Sequence, residues 1–261
     1  MIRAFRSEWL KLRRPGMILG GAGAMIGFAV LAVVLALSRL GSTSGPGSTP
    51  LTADQVAATN GFALLMSNSA TFIGVVALAV CAISIGTEYT NGTLRNLLVR
   101  QPDRLRLLAG KLLAMASFVA IATLLASSAA LVTATLLAPS HSISTAAWFT
   151  SAGIQSLIAT LGNLILSALA WGVIGTAIAM VFRSTTAAIA GGLAYALVVE
   201  VLLTAAWSDA KQWLPGQLIS AVARGGTSTV SYTSALVLVG IYACVSLAAA
   251  SALFQRRDVA A

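Results

Sequence analysis

The residues of this chain that could do chemistry are few, and most stand alone. Glu200 lies deep in an apolar run, about seven residues from its end and so roughly 10 Å along a helix. A carboxylate there could hold a cation, a proton or a substrate, or face a wet vestibule or a subunit interface near Lys211 or Arg224. Gln155 and Asn163 sit in another apolar run, where they could line a path or bond to a neighbouring helix. His141 has no Cys or carboxylate beside it, so no metal site is expected. Cys81 and Cys244 both lie within apolar runs and read as small packing side chains, not as a disulfide. The phosphate-cradling pattern G-x-x-x-x-G-K-[ST] is missing: Gly110-Lys111 has Leu105 and Leu112 where Gly and Ser or Thr are needed. H-E-x-x-H and G-x-S-x-G are missing as well. No catalytic residue is expected, and any uphill movement must draw on a partner or on an ion gradient.

The densest polar segment is 88–111, EYTNGTLRNLLVRQPDRLRLLAGK. Thr93 is placed to cap a short helix with Leu94, Leu97 and Leu98 on its apolar side. Pro102 would end that helix, and Asp103 would cap the next. The product is a short amphipathic helix shaped to fit a groove on another protein. The plain alternative is a solvated basic loop.

These residues need elements to position them, and composition says what those are. The chain has 261 residues, of which 58% are hydrophobic and 9% charged. A soluble domain carries roughly 25% charged residues. The apolar runs are long and do not alternate, so they are helices spanning a hydrocarbon core of ~30 Å and not barrel strands. Residues 1–15 repeat Ile2, Phe5, Trp9 and Leu12 at helical spacing, with Lys11 and Arg14 among the flanking cations. This is an amphipathic helix lying on an anionic membrane face, ended by Pro15-Gly16. Six spans follow, at 17–38, 62–86, 112–137, 154–182, 186–207 and 233–254. The first run is too long for a signal-peptide core and reads as a retained anchor. Gly16/Gly20 and Gly23/Gly27 suggest close helix contact there. Residues 40–60 read as a loop, 87–111 as a connecting loop, and 208–232 as an external segment of mixed character. The whole is a single all-α transmembrane domain.

Charge sets the orientation. With the N-terminus inside, all but three of the 16 Lys and Arg fall in cytoplasmic segments; Arg39, Lys211 and Arg224 are outside. Both termini are then cytoplasmic. The net charge of +9 reflects this topology and does not point to a nucleic-acid partner.

Segment 88–111 resembles the ABC-2 type permeases, the transmembrane subunits of bacterial exporters. The shared features are Glu88 at the end of the second span, the run Gly92, Thr93, Leu94, Leu97 and Leu98, then Pro102, Asp103 and Arg104, and Lys111 opening the third span. The basic start is similar to the family's elbow helix, on which Phe5, Trp9, Lys11 and Arg14 would meet the membrane interface. The turn 182–188 and the segment 213–223 are similar to the family's junction of spans four and five and to its short external helices. The resemblance covers the chain by topology and about 25 residues by motif.

It implies a type V exporter-like fold of six spans plus an elbow helix in a bacterial inner membrane. It further implies a coupling helix in 87–111 that docks on an ABC ATPase subunit, which would bind the ATP and Mg, this chain holding no cofactor. A second copy of the chain or a homologous permease would complete the complex. Glu88 would fix the end of span two, Leu94, Leu97 and Leu98 would fill a groove on the ATPase, and Arg95 and Arg104 would add charge contacts. Asn163 and Glu200 stay, from the residues alone, the candidates for lining a path. The cargo implied is a drug, a lipid-like molecule or a peptide. Two other functions fit the residues alone: an ion-coupled carrier or channel using Glu200, and a non-transporting assembly or sensor subunit.

Overall fold

The computed structural model describes residues 2–41, 51–67, 69–92, 103–207 and 209–256. Regular structure among them is helical. Helix α1 covers Ile2–Leu12. Six long helices follow: α2 (Pro15–Ser38), α5 (Ser69–Thr90), α6 (Arg104–Leu137), α7 (Ser151–Phe182), α8 (Thr185–Ala206) and α11 (Tyr232–Arg256). Each is long and apolar enough to cross a membrane. Four shorter α-helices are also among the described residues: α3 (Ala53–Ala57), α4 (Gly61–Met66), α9 (Ala210–Trp213) and α10 (Pro215–Ala223).

Helices α5 and α7 form the centre of the bundle. They make the most extensive contact in the molecule and are the most buried of the six. Small residues allow the close approach. The α-carbon of Gly74 sits under the Trp171 indole, and that of Gly175 rests on the Leu78 backbone. A methyl group at either site would overlap its neighbour, so glycine is required by space, not by backbone angle. Helix α6 lies against α1, α2 and α7; α8 packs on α5 and α7; α11 packs on α7 and α10. The outer faces of α8 and α11 expose Val201, Leu202, Ile241 and Val245, as suits a hydrocarbon surrounding.

Several boundaries differ from those read in the sequence, each for a local reason. The span expected at 62–86 is two helices, because α4 ends at Met66 and α5 begins at Ser69. The hydroxyls of Ser67 and Ser69 donate to the carbonyls of Leu64 and Met66, at 2.8 and 2.7 Å, which offers the backbone a turn in place of a continuing helix. The 40–60 loop contains α3, whose N-terminus is a capping box: Thr52 and Gln55 exchange side-chain and backbone bonds of 3.3 and 3.1 Å. The third span's helix starts at Arg104, capped by Asp103, whose carboxylate accepts from the Arg106 N–H at 3.1 Å. The first span carries a π-helical stretch at Ile18–Ala22. Among the described residues its GxxxG pairs make no close contact: nothing approaches a Cβ placed at Gly16, Gly20 or Gly27, and Gly21, outside both pairs, is the one that faces Val80 and Phe118.

One end of the bundle is closed by a buried tryptophan. The Trp148 indole N–H donates to the Val56 carbonyl at 2.9 Å and its ring packs at a tilt on Phe62. The opposite end gathers α1, the end of α5, the start of α6 and the α7–α8 turn, where Arg183 adopts a left-handed φ of 53°. Most of the cations among the described residues belong to this basic end.

Candidate functional site: an ion ring at the basic end

Helix α1 does not lie on the bundle by a purely apolar stripe. Its most buried residues are Ala4, Glu8 and Leu12, four apart and therefore on one face. Phe5 and Trp9 are half-buried beside them and stack on each other, with ring centroids 5.9 Å apart. Ile2, expected on the apolar stripe, is 72% exposed. Glu8 thus enters the interface with α6, and a buried carboxylate demands a partner.

The partner is Lys111, about two turns into α6 and itself fully buried. The Lys111 ammonium donates to Glu8 Oε1 at 2.7 Å and also to Glu88 Oε1, near the end of α5. Lys11 completes the set, donating to Glu8 Oε1 at 2.8 Å and Glu88 Oε1 at 2.7 Å. Two carboxylates and two ammonium groups therefore alternate in a closed ring with no net charge. Isolated burial of any one of them would carry a large desolvation cost; alternation gives each charge two opposite neighbours. Burial disfavours the ionised form of Glu8, yet the Lys111 charge and hydrogen bonds from Lys11 and Lys111 prevail and hold its carboxyl below the ordinary range. Burial likewise lowers Lys11, but its bonds to Glu8 and Glu88 outweigh this and raise it.

The ring joins three elements. Glu88 lies two residues before the end of α5 and Lys111 about two turns into α6, on either side of the segment that connects them. Gly92, with φ 62°, turns the chain out of α5 in a conformation that favours glycine. Thr93, Leu94, Arg95, Leu97, Leu98 and Pro102 lie outside the described residues, and Arg104 is described only as the first residue of α6. Of the expected interface residues on α1, Lys11 enters the ring, Arg14 stays exposed, and Phe5 and Trp9 pack on the core. The sequence reading passed over Glu8, although its position four residues after Ala4 and before Leu12 was the available signal.

The two expected path residues are elsewhere, towards the other end. Glu200 is buried, placed just after a π-helical stretch at Tyr195–Val199. Its carboxylate accepts from the backbone N–H of Gly216 at 2.6 Å, at the start of α10. It faces Tyr195 and Gln217 as well. The Glu200 carboxyl thus caps the N-terminus of α10. Asn163 accepts a bond from the Tyr232 hydroxyl at 2.8 Å, tying α7 to the start of α11. Further bonds hold α10 in place: Ser167 to the Ile219 carbonyl at 3.1 Å, and Tyr242 to the Trp213 carbonyl at 2.9 Å. Glu200 and Asn163 do not share a bond, and Gln155 is exposed.

Six apolar crossings, an N-terminal helix fastened to them by buried charges, and a short helix held between three crossings define a multi-pass membrane protein. The family is specific. The model described as ABC-2 family transporter protein matches residues 4–199, and the chain belongs to that family. The matched region contains all four members of the ring and ends just before Glu200. No curated protein matches the chain. The protein is a membrane component of a transporter.

Proposed function

We propose that this chain is the membrane-spanning subunit of an ABC exporter, driven by ATP hydrolysis in a separate nucleotide-binding subunit. The observation that supports the reading best is the bond between Glu88 and Lys111 within the ring. It fastens together the two ends of the segment between α5 and α6, and Glu8 and Lys11 fasten both to α1. A force applied to such a segment passes into three helices at once and is not absorbed by the loop.

In this reading the basic end faces the cytosol of a bacterial cell, with both chain termini on that side. Leu94, Leu97 and Leu98 fill a groove on the ATPase, and Arg95 and Arg104 add charge contacts. Gly92 and Pro102 set the limits of the docking helix, and Thr93 caps it. The partner binds ATP and Mg; this chain binds neither. Two permease chains, identical or homologous, stand with two ATPase chains. Closure of the ATPase dimer shifts the population of the bundle towards an outward state by differential binding. The cargo is a drug, a lipid-like molecule or a peptide. Glu200 holds α10 in place and does not carry an ion.

The test is co-expression with candidate ABC ATPases. Truncation of a buried interface anchor costs about 2 kcal/mol or more, roughly thirtyfold in affinity. Leu97→Asp is expected to abolish co-purification of the ATPase and leave membrane insertion intact. Recovery of the ATPase at wild-type yield with this variant, or ATP-independent pumping by the chain alone, would overturn the proposal.

A further inference from the structure

Beside the ion ring, between α1 and the end of α5, the surface opens into a cleft of about 340 Å³ whose walls include Lys11, Arg14, Met17, Ile83, Ser84 and Asn91. The volume falls in the ~300–1,000 Å³ range of small-ligand sites. Its two cations differ in their commitments. An ammonium has three N–H donors. Two of those on Lys11 go to Glu8 and Glu88, and the side chain is 41% exposed, which leaves one donor for the cleft. Arg14 is exposed and its guanidinium makes no ion pair or hydrogen bond among the described residues. Since the ring is neutral, Arg14 gives the cleft a net positive charge. Ser84 and Asn91 add neutral donors.

The apolar surroundings narrow the choice of anion. Met17, in the cleft wall, belongs to the first membrane-crossing helix, and the next two residues of that helix, Ile18 and Leu19, are 43% and 74% exposed. Phosphate on one side and hydrocarbon on the other is the chemistry of a phospholipid at the membrane interface. Basic pockets between membrane helices hold anionic headgroups in this way, and a guanidinium binds phosphate oxygens in pairs. We infer that this cleft is a discrete site for the headgroup of one anionic phospholipid, its phosphate on Arg14 and the free donor of Lys11, its acyl chains along Met17, Ile18 and Leu19. Such a site differs from general attraction to an anionic surface, to which exposed Arg6 and Arg13 contribute equally. It depends on the membrane setting of α2 and α5, not on the ATPase reading.

The test uses the full chain, delipidated in a non-ionic detergent and titrated with phosphatidylglycerol, phosphatidylcholine and glycerol 3-phosphate, with bound lipid read by native mass spectrometry. One phosphatidylglycerol is expected to be retained in preference to phosphatidylcholine. Arg14→Gln should weaken it about tenfold, as loss of a charge-assisted bond does, and Asn91→Leu should also weaken it. Arg13→Gln, outside the cleft, should leave it within about twofold. Equal losses for Arg13→Gln and Arg14→Gln would mean diffuse adsorption, and equal binding of phosphatidylcholine would remove the anion requirement. Displacement by glycerol 3-phosphate at matching concentration would make it a soluble-anion site. Any of the three overturns the inference.

Discussion

Glu8 and Lys111 are 103 residues apart in the chain and 2.7 Å apart in the fold, each about 1% exposed. Their contact fastens α1 to the membrane-spanning α6 through charge. Because Glu88 and Lys11 share the same two partners, the four groups act as a unit, and the unit makes specific demands on substitution.

Removing Lys111 leaves two buried carboxylates to share Lys11. Breaking a buried pair in this way costs about 3–5 kcal/mol. Lys111→Met is expected to lower the thermal midpoint of the detergent-solubilised protein sharply. Glu8→Gln combined with Lys111→Met restores a simple Lys11–Glu88 pair and should be less harmful than the sum of the single changes. Strict additivity in that cycle would show that the four groups do not act together.

The ring also sets a pH window. The Glu8 carboxyl lies below its ordinary 4.5, so its contribution is full above that pH and lost as the pH falls through the lowered value. Lys11 lies above its ordinary 10.5, so its contribution is full below that pH and lost as the pH rises through the raised value. Thermal midpoints should be level between about pH 5 and 10 and fall on both sides. Glu8→Gln should flatten the acid limb relative to wild type; superimposable acid limbs would remove Glu8 from the account.

A Cβ at Gly216 would lie 2.7 Å from the Glu200 carboxyl carbon. Gly216→Ala should therefore destabilise the α10 contact by about 1–3 kcal/mol. Glu200→Ala, which strands the buried Gly216 N–H, should cost about 1–3 kcal/mol, and Glu200→Gln less, since an amide oxygen still accepts. The pair Glu200→Ala with Gly216→Ala should recover part of the loss, because the smaller side chain makes room. If Glu200→Gln abolished transport with no change in thermal midpoint, an ion-carrying role would replace the capping one.

Glycines on different faces should respond differently. Gly175→Ala places a methyl against the Leu78 backbone, which cannot move aside as a side chain can, and should lower stability by about 1–3 kcal/mol. Gly27→Ala meets open space and replaces glycine within a helix, so it should be neutral or gain up to about 1 kcal/mol. Unfolding of both variants in the same detergent checks the order; a more harmful Gly27→Ala would place a partner on the GxxxG face of α2.

The sequence by itself determined the membrane crossings. A run of apolar residues must satisfy its own backbone once water is absent, and that constraint is local, so six spans follow from composition along the chain. Glu88 and Lys111 are legible too, as the ends of the segment densest in polar residues. The tertiary structure alone decided that Glu8 joins them, that Glu200 meets Gly216 and not Lys211 or Arg224, and that Gly74 and Gly175, rather than the glycines of α2, make the close contacts. Hydropathy records whether a residue can be buried. Which charge or methyl it meets there depends on how helices distant in sequence rotate and cross, and that is settled only when the bundle packs.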